Sequence, residues 1–96
     1  MSVLVSGLNK KSEDFRENEN RMQEVGADLR SHVDRITEGG GEVAQKRHLE
    51  RGKLLPRERI DILVDGGSPF LEISQLAAQN MYEGAAPSAG LLTVIG

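Results

Sequence analysis

The stretch "RGKLLPRERIDILVDGGSPFLEIS", residues 51–74, decides the local fold of this chain. Its first nine positions hold four basic residues, and an apolar run, two glycines and a second apolar run follow. Proline is favoured in the first turn of a helix, since its missing N–H would have no partner there. We therefore predict a helix from Pro56 that buries Ile60 and Leu63, with Val64 as a further candidate, and that ends at the glycine pair. The segment "SPFLEIS" predicts a strand, entered through a Ser-Pro turn.

A long helix is predicted upstream, over residues 12–37. Apolar residues recur there every seven positions, at Phe15, Met22, Leu29 and Ile36. This spacing places them on one stripe of a helix whose remaining surface is polar. Ser12 is a suitable N-cap, and the glycines at 39–41 are typical of a helix end. Such a helix would be roughly 40 Å long, so we expect its stripe to need a partner outside a domain of this size.

The remaining elements are shorter. A second helix is predicted over residues 42–51, with Gly52 as its stop. Residues 75–90 predict a short strand followed by a loop of small residues. The final run "LLTVIG" predicts a strand without a partner after it. We divide the chain into residues 1–41, a long helix with a glycine hinge, and residues 42–96, the start of a second domain.

Composition excludes several classes of protein. The chain of 96 residues has no cysteine and two histidines, which excludes disulfides, thiolate chemistry and a His-rich metal site. Its net charge is −3, without the basic excess of a nucleic-acid binder. No apolar run reaches the ~18 residues that a membrane span needs. The N-terminus has neither the charge order of a signal peptide nor the acid-poor composition of a transit peptide. We therefore predict a bacterial cytoplasmic location.

The basic cluster has two interpretations. Arg57 and Arg59 are expected on a solvated helix face with local ion pairs, each worth a few tenths of a kcal/mol. Arg51 and Lys53 flank Gly52 at a bend, where two cations could hold a phosphate or a carboxylate of a neighbouring subunit.

No catalytic or metal-binding residues are predicted. The glycines at 39–41 lack the lysine and the preceding strand of a phosphate loop. His32 and His48 are expected at the surface, since neither has a second ligand one turn away. Ser74 and Ser88 have no base and no nucleophile-elbow context.

Residues 47–96 resemble the start of the carboxyltransferase (β) subunit of biotin-dependent acyl-CoA carboxylases. The resemblance is carried by "RHLERGKLLPRERIDILVDGGSPFLEISQLAA" and by "AGLLTVIG". The continuation "FLEISQLAAQNMY" is most similar to the 3-methylcrotonyl-CoA carboxylase branch of the family. The helix and "EGGG" before this block are also similar to the region that precedes it in the family.

The resemblance implies an α/β fold: an N-terminal helical segment and the first strands of a crotonase-like domain. It implies transfer of a carboxyl group from carboxybiotin to 3-methylcrotonyl-CoA, in leucine degradation. Biotin would be carried by a partner α subunit with biotin carboxylase and biotin carrier functions, and other β subunits would complete the oligomer. The family's glycine-rich oxyanion-binding turns have no match here, so we expect the 96-residue chain alone to be inactive.

Three alternatives stay open at this point. A propionyl-CoA or geranyl-CoA carboxylase β subunit would have a similar sequence. A small, non-enzymatic helical protein could instead pair with a partner through the seven-residue stripe. Within the carboxylase interpretation, Arg51 and Lys53 are candidates for contacts with the CoA phosphates or with a subunit interface.

Overall fold

The computed structural model describes residues 2–96. It contains three α-helices and two β-strands: α1 (Glu13–Thr37), α2 (Glu42–Glu50), α3 (Pro56–Leu63), β1 (Leu71–Ile73) and β2 (Thr93–Ile95). The chain forms two compact units, one up to Arg30 and one over Ser31–Gly96. No helix in the described part of the chain is long and apolar enough to cross a membrane.

Helix α1 confirms the long predicted helix. The hydroxyl of Ser12 accepts a hydrogen bond from the backbone N–H of Phe15 at 3.2 Å, which is the geometry of an N-cap. Glu13 and Asp14 lie in its first turn, where the helix dipole favours negative charge. The helix ends at Gly39, which has φ 65° and donates its N–H to the carbonyl of Ile36 at 2.9 Å.

Helices α2 and α3 also form where they were predicted. Gly52 has φ 72° and donates its N–H to the Leu49 carbonyl at 2.9 Å, closing the end of α2. Pro56 occupies the first turn of α3. The carboxylate of Glu58 accepts the backbone N–H of Leu55 at 2.9 Å, which satisfies a donor that the helix itself leaves unpaired.

The buried face of α3 differs from the prediction. Ile60 is half-buried as expected, but Leu63 is 85% exposed. The half-buried positions are Arg57, Ile60 and Val64, which share one face at spacings of three and four residues. Leu63 is turned by roughly 100° from Val64 at 3.6 residues per turn, and this rotation takes it off the packed face.

The small sheet pairs β1 with β2 in antiparallel register, with Glu72 opposite Val94. Both of these side chains are half-buried, whereas their neighbours along the strands are exposed. The prediction that the last strand has no partner is therefore wrong. Its partner lies about twenty residues earlier in the chain, in the strand predicted for "SPFLEIS".

The connection between the strands contains two 3-10 turns, Met81–Gly84 and Pro87–Gly90. The short strand predicted at its start is absent from residues 75–80. Ser74 and Ala78 adopt φ 58° and 57°, and this left-handed geometry interrupts an extended chain. Ser88 is buried and donates its hydroxyl to the Gln75 carbonyl at 2.9 Å, which fixes the two ends of the connection together.

The apolar core of the described chain is small. Ile36 is its buried apolar residue, at 6% exposure, and it belongs to the second unit. On the earlier turns of α1, Met22 and Leu29 are 70% and 49% exposed. Two of the four residues of the seven-residue stripe thus remain open to solvent within this chain, while Phe15 is half-buried.

Candidate functional site

An open groove of about 680 Å³ lies in the second unit. The end of α1 and the start of α3 form one wall, through Ile36, Leu54 and Ile60. The small residues from 85 to 92 form the other wall. Arg57 and Arg59 also line it, so a mostly apolar hollow carries cationic groups at its side.

A bidentate ion pair lies beside this groove. The Arg57 Nη2 donates to Glu72 Oε1 at 2.7 Å, and its Nε donates to Glu72 Oε2 at 3.3 Å. The side chains are 23% and 11% exposed, respectively. The Arg57 Nη1 also approaches the Thr37 carbonyl at 3.5 Å. One guanidinium therefore joins α3, β1 and the end of α1.

The prediction of a solvated Arg57 is therefore wrong. It rested on placing Arg57 away from the Ile60 face, whereas the two residues share that face. Glu72 and the Thr37 carbonyl take three of the five N–H donors of Arg57. Arg57 therefore acts as a structural clamp rather than as an open anion-binding group. Arg59 is exposed, as predicted.

Sequence reasoning missed Glu72 altogether, although a signal for it existed. Residues 66–96 contain only two charged side chains, Glu72 and Glu83. A single carboxylate in the middle of the apolar strand "FLEIS" indicates a buried cation partner, because an unpaired charge is costly to bury.

Arg51 and Lys53 lie in the turn between α2 and α3. Both are exposed, and neither lines the groove. The positive φ of Gly52 makes the sharp turn that brings the two residues to solvent on either side of it. The position of Arg51 and Lys53 is compatible with binding an anion from outside the chain, because no described side chain lies between these two residues and solvent.

His48 is not the simple surface residue that was expected. It is half-buried, and its Nε2 donates to the Leu54 carbonyl at 2.8 Å. This bond holds α2 against the segment that leads into α3. His48 lines the groove as well, so its ring contributes to both packing and the polar edge of the hollow.

Among residues 2–96, no three His, Asp or Glu side chains are grouped closely enough to hold a metal ion. His32 is half-buried rather than at the surface. The hydroxyl of Ser88 is buried and committed to a backbone carbonyl, as described above. Within the part of the chain that the structure describes, the polar groups of the site therefore stabilise the fold through hydrogen bonds and an ion pair.

The family described as carboxyl transferase domain matches residues 47–96, which include α3, both strands and most of the groove. This match covers half of the chain, and the chain belongs to that family. The family-level resemblance seen in the sequence is thus confirmed.

Several curated relatives extend the match over the whole chain. The methylcrotonoyl-CoA carboxylase beta chain of Arabidopsis thaliana is 49% identical over 96 residues, covering 100% of this chain and 16% of the relative. A probable methylcrotonoyl-CoA carboxylase beta chain of Drosophila melanogaster is 45% identical, covering 99% and 17%. The 3-methylcrotonyl-coenzyme A carboxylase beta1 subunit of Mycobacterium tuberculosis is 54% identical over 70 residues, covering 73% and 13%. The chain thus spans about a sixth of these relatives.

The relatives also correct the predicted location. The chains from Arabidopsis thaliana, Drosophila melanogaster and Dictyostelium discoideum are named as mitochondrial, and all three come from eukaryotes. The prediction of a bacterial cytoplasmic protein is therefore wrong. It relied on the composition of the first fifteen residues, which is too weak a signal to exclude an organelle.

Proposed function

We propose that this chain is the N-terminal part of the carboxyltransferase (β) subunit of a biotin-dependent acyl-CoA carboxylase. The complete enzyme would transfer a carboxyl group from carboxybiotin to 3-methylcrotonyl-CoA. One observation carries the proposal: beta chains of methylcrotonoyl-CoA carboxylases align with all or nearly all of these 96 residues at 40–49% identity.

In this proposal the segment supplies scaffold. Carboxyl transfer requires stabilisation of two oxyanions, the dienolate of the acyl-CoA and the ureido oxygen of biotin. Backbone N–H groups at glycine-rich turns perform this task without a side-chain nucleophile. Such turns would belong to the remainder of a crotonase-like domain, of which β1 and β2 are the first strands. The Arg57–Glu72 pair would set the position of those strands relative to the helices.

The partners follow from the same proposal. Biotin would be carried by an α subunit that also has the biotin carboxylase, and further β subunits would complete the oligomer. Arg51 and Lys53 would contact either the CoA phosphates or a neighbouring subunit. Their exposure beside Gly52 supports this role, because an ammonium and a guanidinium at an open turn are suited to an anionic partner.

One relative leaves a second substrate class open. The probable biotin-dependent acyl-coenzyme A carboxylase beta2 subunit of Mycobacterium tuberculosis is 44% identical over 78 residues, covering 79% of this chain and 14% of the relative. Its name does not specify the acyl group. A propionyl-CoA or geranyl-CoA carboxylase is therefore the alternative within the same reaction class.

The test is a chimera. The N-terminal segment of the mycobacterial beta1 subunit is replaced by this chain and co-expressed with its α subunit. We expect an assembled enzyme that carboxylates 3-methylcrotonyl-CoA, whereas a version lacking the segment should not assemble. A chimera that carries the N-terminal segment of the beta2 subunit in the same place serves as a matched control. A chimera that behaves like the deletion would overturn the scaffold role, and so would carboxyl transfer by the 96-residue chain alone.

The same chimera tests the basic pair. Arg51→Ala with Lys53→Ala is compared with Lys46→Ala, which removes an exposed cation from the adjacent helix α2. A raised Michaelis constant for the acyl-CoA assigns the pair to the phosphates, and a change in oligomeric state assigns it to an interface. If both quantities match those of the Lys46 control, the pair has neither role.

A further inference from the structure

The first unit contains an open hollow that the proposed carboxyltransferase role does not explain. It has a volume of about 420 Å³. Leu8 and Ser12 line it from the segment before α1, and five residues of α1 complete it: Asp14, Phe15, Asn18, Glu19 and Met22. The last four lie at spacings of three, one and three. In a coiled coil, four residues at this spacing form the hole that receives one apolar side chain from a facing helix.

The heptad pattern identifies the side chain that fits. Along α1, position a holds Phe15, Met22, Leu29 and Ile36, and position d holds Asn18, Val25 and His32. In an antiparallel pair of α1 helices, a residues face d residues of the other copy. Aligning Met22 with Val25 of the second copy places Leu29 of that copy at the level of Asn18, in the middle of the hollow. Leu29 is 49% exposed within its own chain, so a partner can bury it.

The charged residues beside the a and d positions, which form the seam of the pair, agree with the same alignment. The residues just before each a position alternate in sign along α1, at Asp14, Arg21, Asp28 and Arg35. Antiparallel coiled coils bring these g positions together across the interface. The alignment set by Met22 and Val25 brings Arg21 close to Asp28 of the other copy, twice by symmetry. The outer pair, Asp14 with Arg35, is also of opposite sign.

A parallel pair of α1 helices would not bring opposite charges together in this way. It would align each g position with an e position of the other copy, where α1 has only one charge, Glu19, followed by Gly26 and Val33. We propose that α1 is a self-association surface, and that two copies of this chain pair antiparallel with Leu29 of each copy filling the hollow of the other. This inference does not depend on the proposed carboxyltransferase function.

Disulfide trapping tests the orientation. The chain has no cysteine, so single substitutions introduce unique thiols. Chains with Met22→Cys and chains with Val25→Cys are prepared with different tags, mixed, and equilibrated in a glutathione redox buffer. The antiparallel pairing predicts that the mixed disulfide dominates over either homodimer. A dominant Met22→Cys homodimer would show a parallel pair and overturn the proposal.

Charge exchange tests the register. Arg21→Glu should raise the dimer dissociation constant about tenfold, because two attractive contacts become repulsive. Combining it with Asp28→Arg should restore most of the affinity, since the exchanged charges attract again. Arg30→Glu makes the same charge change at position b, away from the seam, and should leave the constant within about twofold.

Sedimentation equilibrium of the 96-residue chain measures these constants, and circular dichroism checks that each variant keeps its helix. A chain that remains monomeric at every attainable concentration overturns the proposal and assigns the stripe to another segment or another protein. A dimer that responds equally to Arg21→Glu and Arg30→Glu also overturns it, because only net charge would then matter.

Discussion

Removing either member of the Arg57–Glu72 pair should destabilise the second unit more than any exposed charge does. The perturbation is a double-mutant cycle of Arg57→Ala, Glu72→Ala and the combined variant. Exposed ion pairs contribute about 0.2–1 kcal/mol, and breaking a fully buried pair costs about 3–5 kcal/mol. The pair is partly screened, at 23% and 11% exposure, so its value falls between these limits.

We expect each single substitution to lower the free energy of unfolding by about 1–3 kcal/mol. Arg57→Ala should be the more costly, because it leaves the less exposed Glu72 carboxylate without its partner. The double variant should recover part of the loss, with a coupling energy of about 1–2 kcal/mol, since no charge is then left unpaired. Arg57→Lys should recover little, because an ammonium cannot make two parallel bonds to one carboxylate.

Urea-induced unfolding, followed by circular dichroism, measures these differences. Arg59→Ala on the same helix is the control and should change stability by at most about 0.5 kcal/mol, as an exposed residue does. A coupling energy no larger than that control would refute the clamp. So would an unmodified chain without a cooperative transition, because the pair could not then be holding three segments in one folded unit.

Three further predictions concern α1 and its ends. Ser12→Ala should reduce the stability of the helix by about 1 kcal/mol, because the N–H of Phe15 loses its acceptor, whereas Ser12→Asp should retain that stability. Circular dichroism at 222 nm measures the helicity, and equal values for both variants would contradict the cap. Gly26→Ala should stabilise the helix by up to about 1 kcal/mol, since a Cβ there meets nothing within 4 Å. Gly39→Ala should cost about 1–2 kcal/mol, because its φ of 65° is strained for alanine. Thermal midpoints that shift in the same direction for both glycine variants would refute this distinction.

The helices were predictable because their signals are local. Ser12, Pro56 and the glycines at 39 and 52 mark helix ends through the backbone geometry that they favour, and no distant contact is needed to read them. The seven-residue stripe likewise predicts a helix from neighbouring residues alone. The family resemblance was found for the same reason, since it rests on a continuous block of sequence.

The clamp and the sheet pairing depend on contacts between distant residues, and those were missed. Including Leu63 in the predicted buried face of α3 shifted the centre of that face and placed Arg57 in solvent. Pairing of the last strand with β1 could not be read from either strand, because each is compatible with several partners. His48 was misjudged because its acceptor is a backbone carbonyl, which no residue pattern reports.

The antiparallel pairing of β1 with β2 has a consequence for the order of events during synthesis. A helix such as α1 forms within about a microsecond of leaving the ribosome, since its hydrogen bonds join residues four apart. Strand β1 must wait for about twenty more residues to be translated, which takes roughly 1–4 seconds at 5–20 residues per second. During that interval the apolar side chains of Leu71 and Ile73 flank an unpaired backbone. The nascent chain is therefore most open to wrong pairing, or to capture by a chaperone, between the emergence of its two strands.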